Sequence, residues 1–110
     1  IEIRENDQEI YEIVSKINDY HTEVCIRAER ALLKTLEGGC QIPIGAIGEI
    51  DNNQLTLKAL VGSLDGKTVI KESLTGDISD PEKIGLKLAN ILMEKGAKKI
   101  LDEIRRENSL

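Results

Sequence analysis

The sequence predicts an α+β fold, with helices packed on one face of a three-stranded antiparallel sheet. Two observations carry this prediction. The middle of the chain alternates apolar and polar residues with a period of two, broken by short turn signals, as antiparallel strands require. The two ends instead repeat their apolar residues at i, i+3, i+4 and i+7, as amphipathic helices do.

Taken in order, Ile1 to Arg4 reads as a short strand already under way. Asn6 or Asp7 would cap a first helix, with Glu9 three residues after Asn6 as in a capping box. Ile10, Ile13, Val14 and Ile17 form its apolar face, and Asn18-Asp19-Tyr20 is expected to interrupt it. A second helix should run from about His21 to Leu36. Val24, Ala28, Ala31, Leu32 and Leu36 would face inward, and Gly38-Gly39 would stop it. Strands are expected around Ile42 to Ile50, around Leu55 to Val61, and from Lys67 to Thr75. Asp51-Asn52-Asn53 and Asp65-Gly66 provide the turns. The third strand carries more charge and belongs nearer an edge. Ser79 or Asp80 caps the next helix, with Pro81 in its first turn and Glu82 completing a box with Ser79. Ile84, Leu88, Ile91 and Leu92 face the core, Gly96 ends that helix, and Ala97, Ile100, Leu101 and Ile104 mark a last one before a polar tail from Arg105.

Composition narrows the function. The chain has 110 residues, one domain's worth, and a net charge of −5. An acidic surface argues against nucleic acid, whose phosphates attract cations. Tyr11 and Tyr20 are its only aromatic residues, too few for a base-stacking platform. No apolar run is long enough to span a bilayer, so no membrane partner is expected. Two cysteines are too few for a disulfide framework, which suggests a reducing, cytoplasmic setting.

Cys40 is the candidate functional residue. It lies just past a helix end, beside glycines that leave room for a bulky group. Thiols are the strongest side-chain nucleophiles near neutral pH. A helix C-terminus disfavours the thiolate, and no basic partner is near in sequence, so one permanent alkylation suits the position better than repeated turnover. Three readings stay open on the residues alone. Cys40 could carry a covalent group, serve a thiol enzyme, or be an incidental small residue in a structural or interaction domain. Cys25, inside a helix, reads as packing. His21, near a helix start, has no companion ligands for a metal, so no metal site is expected. Arg27, Glu29 and Arg30 read as ion-pairing residues on a helix face.

The segment Leu36-Glu37-Gly38-Gly39-Cys40-Gln41-Ile42-Pro43-Ile44-Gly45 resembles the cofactor-attachment segment of hydroxymethylbilane synthases, the porphobilinogen deaminase family. Ala28-Glu29-Arg30-Ala31, Leu60-Val61-Gly62-Ser63 with Asp65-Gly66, and Gly96-Ala97 with Ile100-Leu101 extend the likeness along the whole chain. The resemblance implies a transferase of porphyrin and haem biosynthesis. It condenses four porphobilinogen molecules into hydroxymethylbilane, releasing ammonia. It also implies a dipyrromethane cofactor joined by a thioether to Cys40. The family's catalytic aspartate belongs to a first domain that this sequence does not match, and its carboxylate-binding residues lie mainly in the first and second. No catalytic residue is therefore expected here. Residues 1–19 would be a strand, helix and hinge leading out of that first domain, with the hinge near Lys16 to Asp19. Residues 20–110 would form the C-terminal, cofactor-carrying domain. Its partners would be the polypyrrole and the other two domains, and alone it would be inactive.

Overall fold

The computed structural model describes residues 5–37 and 43–108. A long helix, α1 (Glu5–Glu37), leads into strands β1 (Ile44–Asp51), β2 (Gln54–Gly62) and β3 (Val69–Asp77). Helix α2 (Pro81–Leu92) follows, then one π-type turn over Met93–Ala97, then α3 (Lys98–Asn108). The strands form one antiparallel sheet in the order β1-β2-β3. The helices cover one face, which confirms the predicted fold class.

The largest difference from the sequence reading is in α1. One helix of 33 residues replaces the two expected, and Asn18-Asp19-Tyr20 does not interrupt it. None of these three residues is glycine or proline. Each costs a helix only about 0.7 kcal/mol or less relative to alanine. The apolar residues on either side of them also keep the same helical phase. At 100° per residue, Ile10, Ile13, Val14 and Ile17 lie on the same side as Val24, Ala28 and Leu32. His21 is accordingly mid-helix rather than near a start, and Asn6 and Asp7 lie within the helix rather than ahead of it. The expected strand at Ile1 to Arg4 lies outside the described residues, as does the Gly38-Gly39 stop. The final helix runs on to Asn108, so the tail expected from Arg105 is helical for its first residues.

Both hairpins obey their turn chemistry. Asn52 and Asn53 take φ of 51° and 59°, the paired left-handed residues that match the twist of a two-residue hairpin. In the second hairpin the Asp65 carboxylate accepts from the Ser63 hydroxyl (2.5 Å) and the Lys67 amide (3.0 Å). These bonds hold the Asp65 pKa below the usual carboxylate range. The third strand begins at Val69, two residues later than expected, because this turn takes up Leu64 to Lys67.

Leu55, Leu57, Ala59 and Val61 turn the inner face of β2 to the helices and are buried. The core closes with Val24, Ala28, Leu32 and Leu36 of α1, Ile84, Leu88, Ala89 and Leu92 of α2, and Ala97, Ile100, Leu101 and Ile104 beyond. Asp80 caps α2, accepting from the Lys83 amide at 3.3 Å. The expected Ser79–Glu82 box does not form. The Ser79 amide donates to Asp77, and Glu82 binds Arg27 across the α1–α2 seam. Gly96, at φ 125°, makes the bend between α2 and α3, where a side chain would be strained.

Candidate functional site

Cys40 lies outside the described residues, together with Gly38, Gly39, Gln41 and Ile42. The structure does describe the two elements that lead to it. On one side is the C-terminal half of α1, which is fixed by burial. Val24, Ala28, Leu32 and Leu36 recur on one face and are fully buried. Burying a leucine or valine is worth about 1.5–3 kcal/mol, so this half of the helix is firmly seated. On the other side Pro43 enters β1, and its carbonyl accepts from the Gly62 amide at 2.9 Å. The connection bearing Cys40 therefore spans two anchored ends.

The seam between α1 and β1 adds a second tie. Gly48 passes so close to α1 that a Cβ there would lie 3.0 Å from the Cys25 Cβ and 3.2 Å from its Sγ. The Gly48 amide faces away from β2 and donates to the Glu29 carboxylate at 2.8 Å. Without that acceptor a partly buried edge-strand N–H would go unpaired, at a cost of about 1–3 kcal/mol. Arg27 makes two bonds to Glu82, at 2.7 and 3.0 Å, and so fastens α1 to α2. Both groups are about half exposed, so the pair contributes little beyond alignment. The sequence suggested ion pairs within the helix face. Arg27 and Glu29 instead reach other elements, a distinction that sequence spacing does not encode.

Cys25 is half-buried against the core, in line with a packing role. Burial pushes its thiol pKa up, and the carboxylates of Glu29 and Glu49 push it further. Because the thiolate is the nucleophile, Cys25 should alkylate with iodoacetamide more slowly than a free cysteine peptide at neutral pH. Mass spectrometry of a Cys40→Ser variant would measure this, and an equal rate would mean that the seam stands open. His21 is half-buried in mid-helix. Among the described residues no three His, Cys, Asp or Glu side chains come together to hold a metal. No helix among them is long and apolar enough to cross a membrane.

Two features escaped the sequence reading. The aliphatic face at Ile10, Ile13, Val14 and Ile17 is 48–58% exposed, although it continues the buried stripe of the same helix. The outer face of the sheet also bears apolar residues at one end. The signal for this was Leu60, which breaks the polar side of the β2 alternation.

The family model for the C-terminal domain of porphobilinogen deaminase matches residues 23–94. The chain is similar to porphobilinogen deaminase of Carboxydothermus hydrogenoformans, at 56% identity over 97% of this chain and 34% of that protein. Its likeness to the enzyme of Chlorobaculum tepidum is 50% over 96% of this chain and 35% of that protein. For Geobacillus kaustophilus the figures are 45%, 97% and 34%. The chain thus spans about a third of the length of the curated relatives it matches.

Proposed function

The chain belongs to the porphobilinogen deaminase family as its C-terminal domain, and on that premise we propose that Cys40 carries the dipyrromethane of a hydroxymethylbilane synthase through a thioether. The observation that carries this reading is the run Gly38-Gly39-Cys40-Gln41 followed by Pro43 and Gly45, inside the span of the family match. The anchored ends at Leu36 and Pro43 support it, because a tether needs a fixed base. The chemistry of the two thiols supports it as well. Cys25 is held protonated in a tight seam, which leaves Cys40 to be alkylated.

When bound, the dipyrromethane supplies the primer onto which porphobilinogen units are added with loss of ammonia. This chain's own residues then do mechanical work. Leu32 and Leu36 hold the helix end in the core. Glu29 and Gly48 fix that helix against β1, and the Gly62 amide holds the start of β1. Nothing in this reading gives the domain acid–base duties. Those fall to an aspartate in another part of the enzyme, so the domain alone would not turn over porphobilinogen.

The other parts of the enzyme also have a natural place to pack. Ile10, Ile13, Val14 and Ile17 present aliphatic surface that this chain does not cover. In this reading residues 1–19 reach into the first domain and residues 20–110 form the cofactor carrier. The boundary then falls within one continuous helix. Replacing Ile13 and Ile17 together by aspartate should leave the isolated chain's stability within about 1 kcal/mol, because both side chains are exposed. The same change should destabilise the complete enzyme. Urea titration of both forms measures the contrast, and equal effects in the two would refute the assignment.

Intact mass of the protein, with a Cys40→Ser control, tests the cofactor assignment directly. An excess equal to the dipyrromethane that disappears in the control is the expected result for loaded protein. An excess that survives the substitution would rule Cys40 out.

A further inference from the structure

The sheet is covered on one face only, and its open face is divided. At one end it carries Glu49, Asp51 and Asp77, as solvent-facing residues of an acidic protein should. The other end is different. There Ile47 and Val69 are 55% and 51% exposed and Leu60 is 38% exposed. Lys58 and Lys71 stand among them; Glu72 also lines this end, but its place opposite the buried Ala59 puts its side chain on the helix-covered face. The register explains how they meet. Lys58 lies opposite Ile47 and Ser73, and Leu60 lies opposite Gly45 and Lys71. The two lysines are therefore diagonal neighbours on one face, about 7–8 Å apart at the backbone. Gly45 contributes no side chain, so the space over Leu60 stays open. A Cβ there would only reach van der Waals distance of it, at 3.6 Å. The result is a shallow, open groove of about 540 Å³.

The charges are available. Lys58 approaches Glu49 only at 4.0 Å, with both side chains more than half exposed, an arrangement worth little. Lys71 has no ion pair among the described residues. An apolar floor flanked by two ammonium groups complements a flat, apolar body with a carboxylate. We infer that this groove on the open sheet face binds an aromatic carboxylate. The inference is independent of the chemistry at Cys40. The floor takes the ring, and Lys58 and Lys71 take the two oxygens.

The test is a titration of the ¹⁵N-labelled chain with 2-naphthoate, with 2-naphthamide as the uncharged comparison. Saturable shifts should appear at residues 45–47, 58–60 and 71–73, with a Kd on the order of 1 mM for so small a ligand. Lys71→Gln, and separately Lys58→Gln, should weaken binding by about two- to fivefold, as should the amide, each removing one exposed charge contact. Both lysines are exposed, so these variants keep the fold. Naphthoate and naphthamide binding equally, shifts confined to the aliphatic face of α1, or no saturable shift at all would each overturn the inference.

Discussion

In the complete enzyme, Cys40→Ser should abolish hydroxymethylbilane formation, while Cys25→Ser should leave it near the parent level. The proposed reading makes Cys40 the sole covalent anchor of the primer, and a serine hydroxyl is far too weak a nucleophile to replace a thiol in forming that bond. Cys25 sits in a tight seam with its thiol pKa raised, and serine fits the same space. The measurement is the steady-state rate of ammonia release from porphobilinogen, paired with the intact mass of each variant. An active Cys40→Ser enzyme would end the tether assignment. An inactive Cys25→Ser enzyme that still carried the cofactor would move attention to the α1–β1 seam.

The second large effect is structural. Gly85 of α2 crosses α1 where the two backbones touch. A methyl group there would sit 2.9 Å from the Ala31 Cβ and 3.0 Å from the Leu32 amide nitrogen, and well inside contact distance of the Ala28 carbonyl oxygen. All of these neighbours belong to backbone or Cβ, so no side chain can swing away. Gly85→Ala should therefore cost about 3 kcal/mol, the upper part of the range for overpacking. Domains of this size have about 5–15 kcal/mol in total, so the fall in urea midpoint should be plain. An unchanged midpoint would mean that the helices separate at no cost.

Most of the fold was legible because local pattern and burial agree. Leu55, Leu57, Ala59 and Val61 alternate in sequence and are buried in the structure. Asn52-Asn53 is a turn both in composition and in its positive φ angles. Sequence reading failed where a local signal met a longer-range one. Asn18-Asp19-Tyr20 looks like a break, yet three mildly unfavourable residues cannot outweigh an apolar stripe that stays in phase on both sides of them. Ser79 and Glu82 have the spacing of a capping box, but Arg27, distant in sequence, claims the Glu82 carboxylate. Side chains that bind across elements, such as Glu29 to Gly48, leave no periodic trace. For the candidate site, the motif around Cys40 was readable at once. The anchoring of its two ends was not, because it depends on tertiary packing.

The unbroken run of α1 has a mechanical consequence. At 1.5 Å per residue the helix is roughly 50 Å long, and its two ends serve different neighbours. Its C-terminal half is packed against the sheet and α2, so the helix and those elements move as one body. If the first turns are gripped elsewhere, that body swings as a lever about the grip. A tilt of only ~10° about residue 10 would displace Glu37 by roughly 7 Å, since 27 helical residues separate them at 1.5 Å each. Small angular changes near the amino end are thereby amplified into translation of the helix end that leads to Cys40, with no residue of the sheet or of α2 having to unfold.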